Sequence, residues 1–374
     1  METQPRVAFV ALLCTALANA CNKKEQPIAQ QTSSSAPANA ASSAEKAAPP
    51  VDADSLTLQY QLGDVPVPPD NLQTNEKAEL GHLLFFEKRL SADGKRSCYG
   101  CHRNEDGNGG HEPVAIGVGN KPLTRHSPTI WNVGYAKKLN WDGAAATLEE
   151  QAKLMLSGPY LGIPSDKLEA KVKELSKIPG YRKAFDAAFP GKGATSEAVA
   201  MALAAYERTL VCNDTAYDRY AKGEKTALSA EQKRGLLTFT NKAGCPTCHT
   251  PPFFSIAFLS PDGAYFNAGV GTQGKKEEEV DVGRMAVSKA PADWAAFKPP
   301  SLRNVSKSAP YFHDGSAKAL PDAVRFMASG GAKNKNLTPL LSDKQLSDTE
   351  IDELVAFLGS LECGKKLEEP ALPK

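Results

Sequence analysis

Apolar residues recur at helical spacing in several stretches of the chain, and Gly- and Pro-rich segments separate them. In NEKAELGHLLFFEKRL, 75–90, they repeat every three or four positions, which predicts a helix. TSEAVAMALAAYERTLV, 195–211, predicts a second, amphipathic one. Ser229 with Gln232, and Ser347 with Glu350, have the spacing of a capping box, in which two side chains satisfy each other's free backbone N–H groups. They predict helix starts at SAEQKRGLLTF and SDTEIDELVAFLGSL. The reading is almost entirely helical, so the expected fold class is mainly α. A boundary is expected near YAKGEKTALS, 220–229.

The first residues do not fit this pattern. Arg6 precedes an apolar run, Val7 to Leu17, that is too short for a membrane span and ends in ANAC. This predicts a secretory signal over 1–20, with cleavage after Ala18-Asn19-Ala20. Cys21 also stands where a bacterial lipoprotein carries its lipid, so a cleaved leader and a lipid anchor are both open. Residues 21–54 are rich in Ser, Ala, Pro, Gln and Lys. Such a stretch buries too little apolar surface to offset its ordering entropy and reads as a disordered tether reaching ~30 Å. The expected location is the periplasm, free or lipid-anchored.

Charge changes little. Lys and Arg number 44 against 43 Asp and Glu, a formal net charge of +1, and no global field points to nucleic acid.

The eight cysteines change more. Cys14 lies in the signal and Cys21 is the candidate lipid site. Cys98/Cys101 and Cys245/Cys248 form two Cys-x-x-Cys pairs, followed at once by His102 and His249. Cys212 and Cys363 remain, and in an exported, oxidising setting they are expected to pair. Cys-x-x-Cys-His is the attachment pattern of c-type haem: two thiols form thioethers with the vinyl groups and the histidine lies under the iron. A zinc site is the rival reading, but its cysteine pairs usually lie ~15–20 residues apart. A thiol–disulfide motif is another, but no βαβ pattern surrounds CPTCH. Two covalently bound haem c groups are therefore expected, with His102 and His249 as proximal ligands.

The phrases LGHLLFFEKRLSADGKRSCYGCH, SPTIWNVGY, NWDGAAATLEEQA, IPGYRKAFDAAFPG, ALAAYERTLV, DVGRM, PPSLRNVSKSAPYFHDG and AVRFMASGG together resemble the bacterial di-haem cytochrome c peroxidase/MauG family over residues 57 to 362. The resemblance implies two cytochrome c-like domains, 55–222 with a peroxidatic haem and 223–374 with an electron-transfer haem. It implies reduction of hydrogen peroxide to water with electrons from a small cytochrome c or cupredoxin. A MauG-like enzyme that oxidises a partner protein, or a non-catalytic di-haem electron carrier, are the alternatives. A homodimer is compatible with the family.

Residue by residue, Trp141 matches the tryptophan between the haems and Gln151 the glutamine of the peroxide pocket. Met327 stands at the sixth ligand of the second haem, where MauG-like enzymes carry tyrosine; Met285 competes with it. His313 and Arg303 match positions near the second haem, and Arg303 is a candidate partner for a haem propionate. Relatives in the family hold a calcium ion between the domains; here His126 replaces an asparagine ligand, so a calcium site is left open.

Two matches fail, both at the first haem. The histidine that caps the resting iron in a Gly-His-Gly turn is Val118 here, between Gly117 and Gly119, so an uncapped, five-coordinate or water-bound iron is expected. The glutamate that moves the proton needed for O–O cleavage is Tyr160 or Leu161. His111 is a candidate stand-in, an exposed loop histidine being the other reading. Glu149 and Glu150 are expected to point away from the pocket.

Overall fold

The computed structural model describes residues 52–374 and contains there ten α-helices, no β-sheet and five isolated β-bridges. The expected signal, Cys21 and most of the expected tether lie outside the described residues. The end of that tether is ordered, contrary to expectation. Ala53 is buried, and the Tyr220 hydroxyl donates to the Asp54 carboxylate at 2.5 Å.

Helix α1 (Asn75–Phe86) begins where Thr74 accepts a hydrogen bond from the Lys77 N–H. It stops short of the expected 90. Glu87 turns extended, and its buried carboxylate accepts from the Arg89 backbone N–H at 2.7 Å and the Tyr181 hydroxyl at 2.5 Å. A buried carboxylate needs such partners, and they outweigh one more helical turn. Helices α2 (Leu148–Ser157), α3 (Ser165–Leu175), α4 (Pro179–Ala188) and α5 (Ser196–Glu207) complete the first half. Leu80, Leu84, Phe85, Leu156, Val199 and Leu203 form its core.

The second half contains α6 (Ala216–Ala221), α7 (Ala230–Thr240), the single turn α8 (Met285–Ser288), α9 (Leu320–Ala328) and α10 (Asp348–Gly359). Both expected capping boxes, Ser229/Gln232 and Ser347/Glu350, start α7 and α10. Phe239, Phe254, Phe357 and Leu361 lie in its core.

Each half is built on one close helix crossing. A Cβ on Gly81 of α1 would lie 1.9 Å from the Ala202 carbonyl oxygen of α5. A Cβ on Gly235 of α7 would lie at the same distance from the Glu353 carbonyl oxygen of α10. Only glycine lets the backbones approach so closely.

The halves share more than this crossing. Residues 128–158 and 300–330 align at a constant offset of 172 with ten identities in 31 positions. Asn132 and Asn304 both adopt the left-handed conformation (φ 62° and 65°) ahead of short 3-10 turns. The bridges Leu139–Ala145 and Tyr311–Ala317 coincide at the same offset, and α2 and α9 begin at equivalent leucines. The Asn132 side chain accepts from the Cys212 N–H at 2.8 Å, and that of Asn304 from the Cys363 N–H at 2.9 Å. These two cysteines form the expected disulfide, with Cα atoms 5.7 Å apart. It links equivalent points of an internal repeat.

The chain ends cross between the halves. Leu56 and Leu58 pack on the second core, while Leu367 and Leu372 pack on the first.

Candidate haem-binding cavity

In both halves a short loop and a proline fix the motif histidine. His102 Nδ1 lies 3.1 Å from the Asn108 carbonyl oxygen, and the Pro128 carbonyl is a second hydrogen-bonding neighbour. His249 Nδ1 lies 3.1 Å from the Phe254 carbonyl oxygen, with Pro300 in the second role. The carbonyl at Nδ1, Asn108 for His102 and Phe254 for His249, holds the proton there and leaves Nε2 as the metal-binding lone pair. Burial pushes the His102 pKa down to about 4, so the ring is neutral, as a ligand must be. Cys98, Cys101, Cys245 and Cys248 are all unpaired, and burial raises all four thiol pKa values. Thiols at Cys-x-x-Cys spacing that form no disulfide are free to bond to a haem.

A cavity of about 430 Å³ opens over the first motif, within the range of small-molecule and cofactor sites. Cys98, Cys101 and His102 form one wall, and Trp141, Gln151 and Tyr160 share the space. Three buried polar atoms among its lining residues have no protein partner: Arg96 Nε, His126 Nε2 and Glu207 Oε2. Buried polar groups are normally paired, so a cavity bordered by orphans fits a polar, acid-bearing occupant. The haem expected from the motifs meets that test.

Several of the side chains singled out in the sequence lie at or beside this cavity. Trp141 is buried, its Nε1–H donates to the His126 carbonyl at 2.7 Å, and its ring meets His313 edge-on at 6.4 Å. His313 stacks on Phe297 at 3.7 Å. Gln151 faces the cavity from α2, while Glu149 turns away to pair with Arg208 at 2.7 Å. Glu150 caps the Ala146 N–H. Tyr160 and Leu161 both border the cavity; Leu161 belongs to the core, and burial raises the Tyr160 phenol pKa.

Other expectations are corrected. His111 is 44% exposed, lies 3.5 Å from Asp106 and 3.4 Å from Glu112, and is not among the lining residues. A loop histidine drawn outward by two carboxylates does not serve as the cavity's acid. Arg303 is fully buried, and its Nη1 and Nη2 donate to the Asp218 carboxylate at 2.7 and 2.8 Å. Its Nε and Nη2 also donate to the Pro252 carbonyl, so this guanidinium is committed to protein partners rather than a propionate. Met285, the rival ligand, packs on the Trp294 cluster.

Val118 does not line the cavity. It packs on Gly162 and donates its N–H to the Pro159 carbonyl. His126 donates its Nδ1–H to the Glu112 carbonyl at 2.9 Å. Among the described residues no group of three His, Cys, Asp or Glu side chains is arranged to hold a metal ion. Sequence reasoning missed Lys298, which reaches the cavity from the second half with its Nζ on the Lys138 carbonyl, and Met155 and Glu207, which also line it.

The fold and site thus define a helical protein with two Cys-x-x-Cys-His centres on a repeated frame. The family model for di-haem cytochrome c peroxidase matches residues 75–226. The chain is 35% identical to the cytochrome c551 peroxidase of Pseudomonas aeruginosa over 346 residues, covering 87% of this chain and 92% of that one. It is 35% identical to the methylamine utilization protein MauG of Methylorubrum extorquens over 300 residues, covering 80% and 82%. Among solved structures, a MauG-like protein associated with microbial copper homeostasis superposes with a TM-score of 0.76 at 28% identity, over 83% of this chain and 96% of that one. The protein belongs to the di-haem cytochrome c peroxidase family.

Proposed function

We propose that the protein is a cytochrome c peroxidase that reduces hydrogen peroxide to two waters, using two protons and two electrons from a small cytochrome c or cupredoxin. Residues 55–222 carry the peroxidatic site and 223–374 the electron-entry site. Two haem c groups would be held, one by Cys98, Cys101 and His102, the other by Cys245, Cys248 and His249 together with Met327. Once bound, the haem iron supplies the redox chemistry that splits the O–O bond. The chain's own residues do the rest. The carbonyls of Asn108 and Pro128 orient His102 as a neutral ligand. The Gln151 amide and the Tyr160 hydroxyl border the space that receives peroxide, and burial keeps the Tyr160 proton in place as a hydrogen-bond donor. Trp141, fixed by its bond to His126, links that space to His313 of the second half.

The observation that carries this reading is the single cavity shared by the Cys98/Cys101/His102 motif and Trp141, Gln151 and Tyr160. Steady-state turnover of hydrogen peroxide with reduced cytochrome c tests it; peroxide-dependent oxidation of the donor is expected, and its absence with both haems loaded would overturn it. The protein is exported, and the mass of the mature N-terminus distinguishes a lipid at Cys21 from cleavage after Ala20.

A further inference from the structure

The 172-residue repeat pairs Met327 with Met155. The pairing lies within one unbroken frame. Pro128 and Pro300 each present a carbonyl to the motif histidine of their own half, and each stands 27 residues ahead of its methionine. Between them no insertion disturbs the register, and the left-handed asparagine, the small bridge and the helix start all recur. Met155 is the eighth residue of α2, and Met327 the eighth residue of α9. Both are followed by Ser-Gly after one intervening residue.

Met155 is half-buried and lines the same cavity as His102. The other methionines of the described residues are elsewhere. Met201 lies beside Phe189 under α1, Met285 packs on Trp294, and Met327 belongs to the second half. A helical methionine is more often packing than ligand. Here the frame that holds each histidine places one methionine at one register in each half, and the first of the two lies in the cavity.

We propose that the thioether sulfur of Met155 is the resting axial ligand of the haem held by His102, as Met327 is for the haem held by His249. The proposal rests on haem attachment at both motifs, and it replaces the uncapped iron expected from Val118. The gate is then a neutral thioether, a weaker ligand for ferric iron than imidazole, and it yields its place when peroxide enters. A thioether also favours the ferrous form and so raises the haem's potential.

The test counts thioether-ligated haems in the oxidised holoprotein by sulfur-to-iron charge-transfer absorption and low-temperature EPR. Wild type is expected to show twice the charge-transfer intensity per protein of either Met155→Leu or Met327→Leu, and the double variant none. In Met155→Leu the loss should be matched by a high-spin signal from one haem. Wild type carrying a single thioether-ligated haem, unchanged in Met155→Leu and lost in Met327→Leu, would overturn the proposal. The wild-type count decides the question even if a variant fails to accumulate. Peroxide turnover with a reduced donor is read separately, so a failure of the peroxidase assignment leaves the ligand count standing.

Discussion

The two copies of the repeated frame differ where it faces the cavity and agree where it holds the histidine. On the histidine side, the Thr129 hydroxyl donates to the Gly107 carbonyl, and its counterpart Ser301 donates to the Phe253 carbonyl. Two residues on, Trp131 donates to the Asn108 side chain at 2.8 Å, whereas Arg303 grips the Pro252 carbonyl and lies over the Phe254 ring. Both brace the loop whose carbonyl orients the histidine. On the cavity side, Trp141 and Gln151 of the first copy correspond to His313 and Ala323 of the second. The comparison teaches that one scaffold for presenting a histidine was kept, while the groups suited to a polar substrate were placed on a single copy.

The most severe test separates the histidines. With His102→Ala, reaction with peroxide should disappear even in a single mixing experiment. With His249→Ala, one encounter with peroxide should still register spectrally, while steady turnover with external donor is lost. Equal behaviour of the two variants would break the assignment of roles.

Next in size is the brace of the second copy. Asp218 holds Arg303 in a fully buried pair, and the guanidinium with the Thr215 hydrogen bonds keeps the carboxyl pKa below its usual range against the cost of burial. Asp218→Ala leaves a buried, uncompensated cation and should cost about 3–5 kcal/mol in denaturant unfolding. Trp131→Phe in the first copy keeps an aromatic group but loses one hydrogen bond and part of the buried indole, so a smaller cost of about 1–3 kcal/mol is expected. A reversed order would mean that the two braces are not equivalent.

Third is the link between the copies. The Cys212–Cys363 disulfide closes a segment of 151 residues. Replacing both cysteines by serine should lower stability by about 2–4 kcal/mol. Because the bond joins the repeats at equivalent points, the loss should fall on both halves in hydrogen exchange, not on one.

Much of this was legible in the sequence. The motifs, both capping boxes and the last cysteine pair depend on local spacing or on counting, and the structure shows the boxes and the disulfide. Arg303 was misread because its partner Asp218 lies 85 residues away, and nothing near PSLRNV announces an acid. His111 stood between two readings because a glycine-rich loop does not reveal which way it folds; Asp106 and Glu112 decide for the exposed one. Glu87 cut α1 short through Tyr181, which comes 94 residues later. Met155 was legible in principle, through the 172-residue register, but ten identities in 31 positions are inconspicuous until the bridges and left-handed asparagines coincide.

The smallest effect concerns the helices that follow the frames. At the offset of the disulfide, Tyr206 corresponds to Phe357, and their Cβ atoms lie equally close to Gly81 and Gly235. The next position is Glu207 in α5 and Leu358 in α10, so the first copy buries a carboxyl where the second buries an alkyl group. Burial pushes the Glu207 pKa up to about 8, with Arg208 opposing and Glu149 reinforcing the shift. Native Glu207 therefore holds its proton over a range in which the unfolded chain, with a carboxyl near 4.5, has lost its own. Stability must fall as pH rises from about 4.5 to 8, because the native state binds more protons in that window. Glu207→Gln removes this slope. The variant should match wild type near pH 4.5 and exceed it by a few kcal/mol near pH 8, since each unit by which the native pKa stands above the unfolded one is worth about 1.4 kcal/mol. Thermal unfolding of the holoprotein across that range measures it. A wild type that loses no stability relative to the variant as pH rises would mean that the bound haem supplies Glu207 with a partner, and that the two copies differ less here than their side chains suggest.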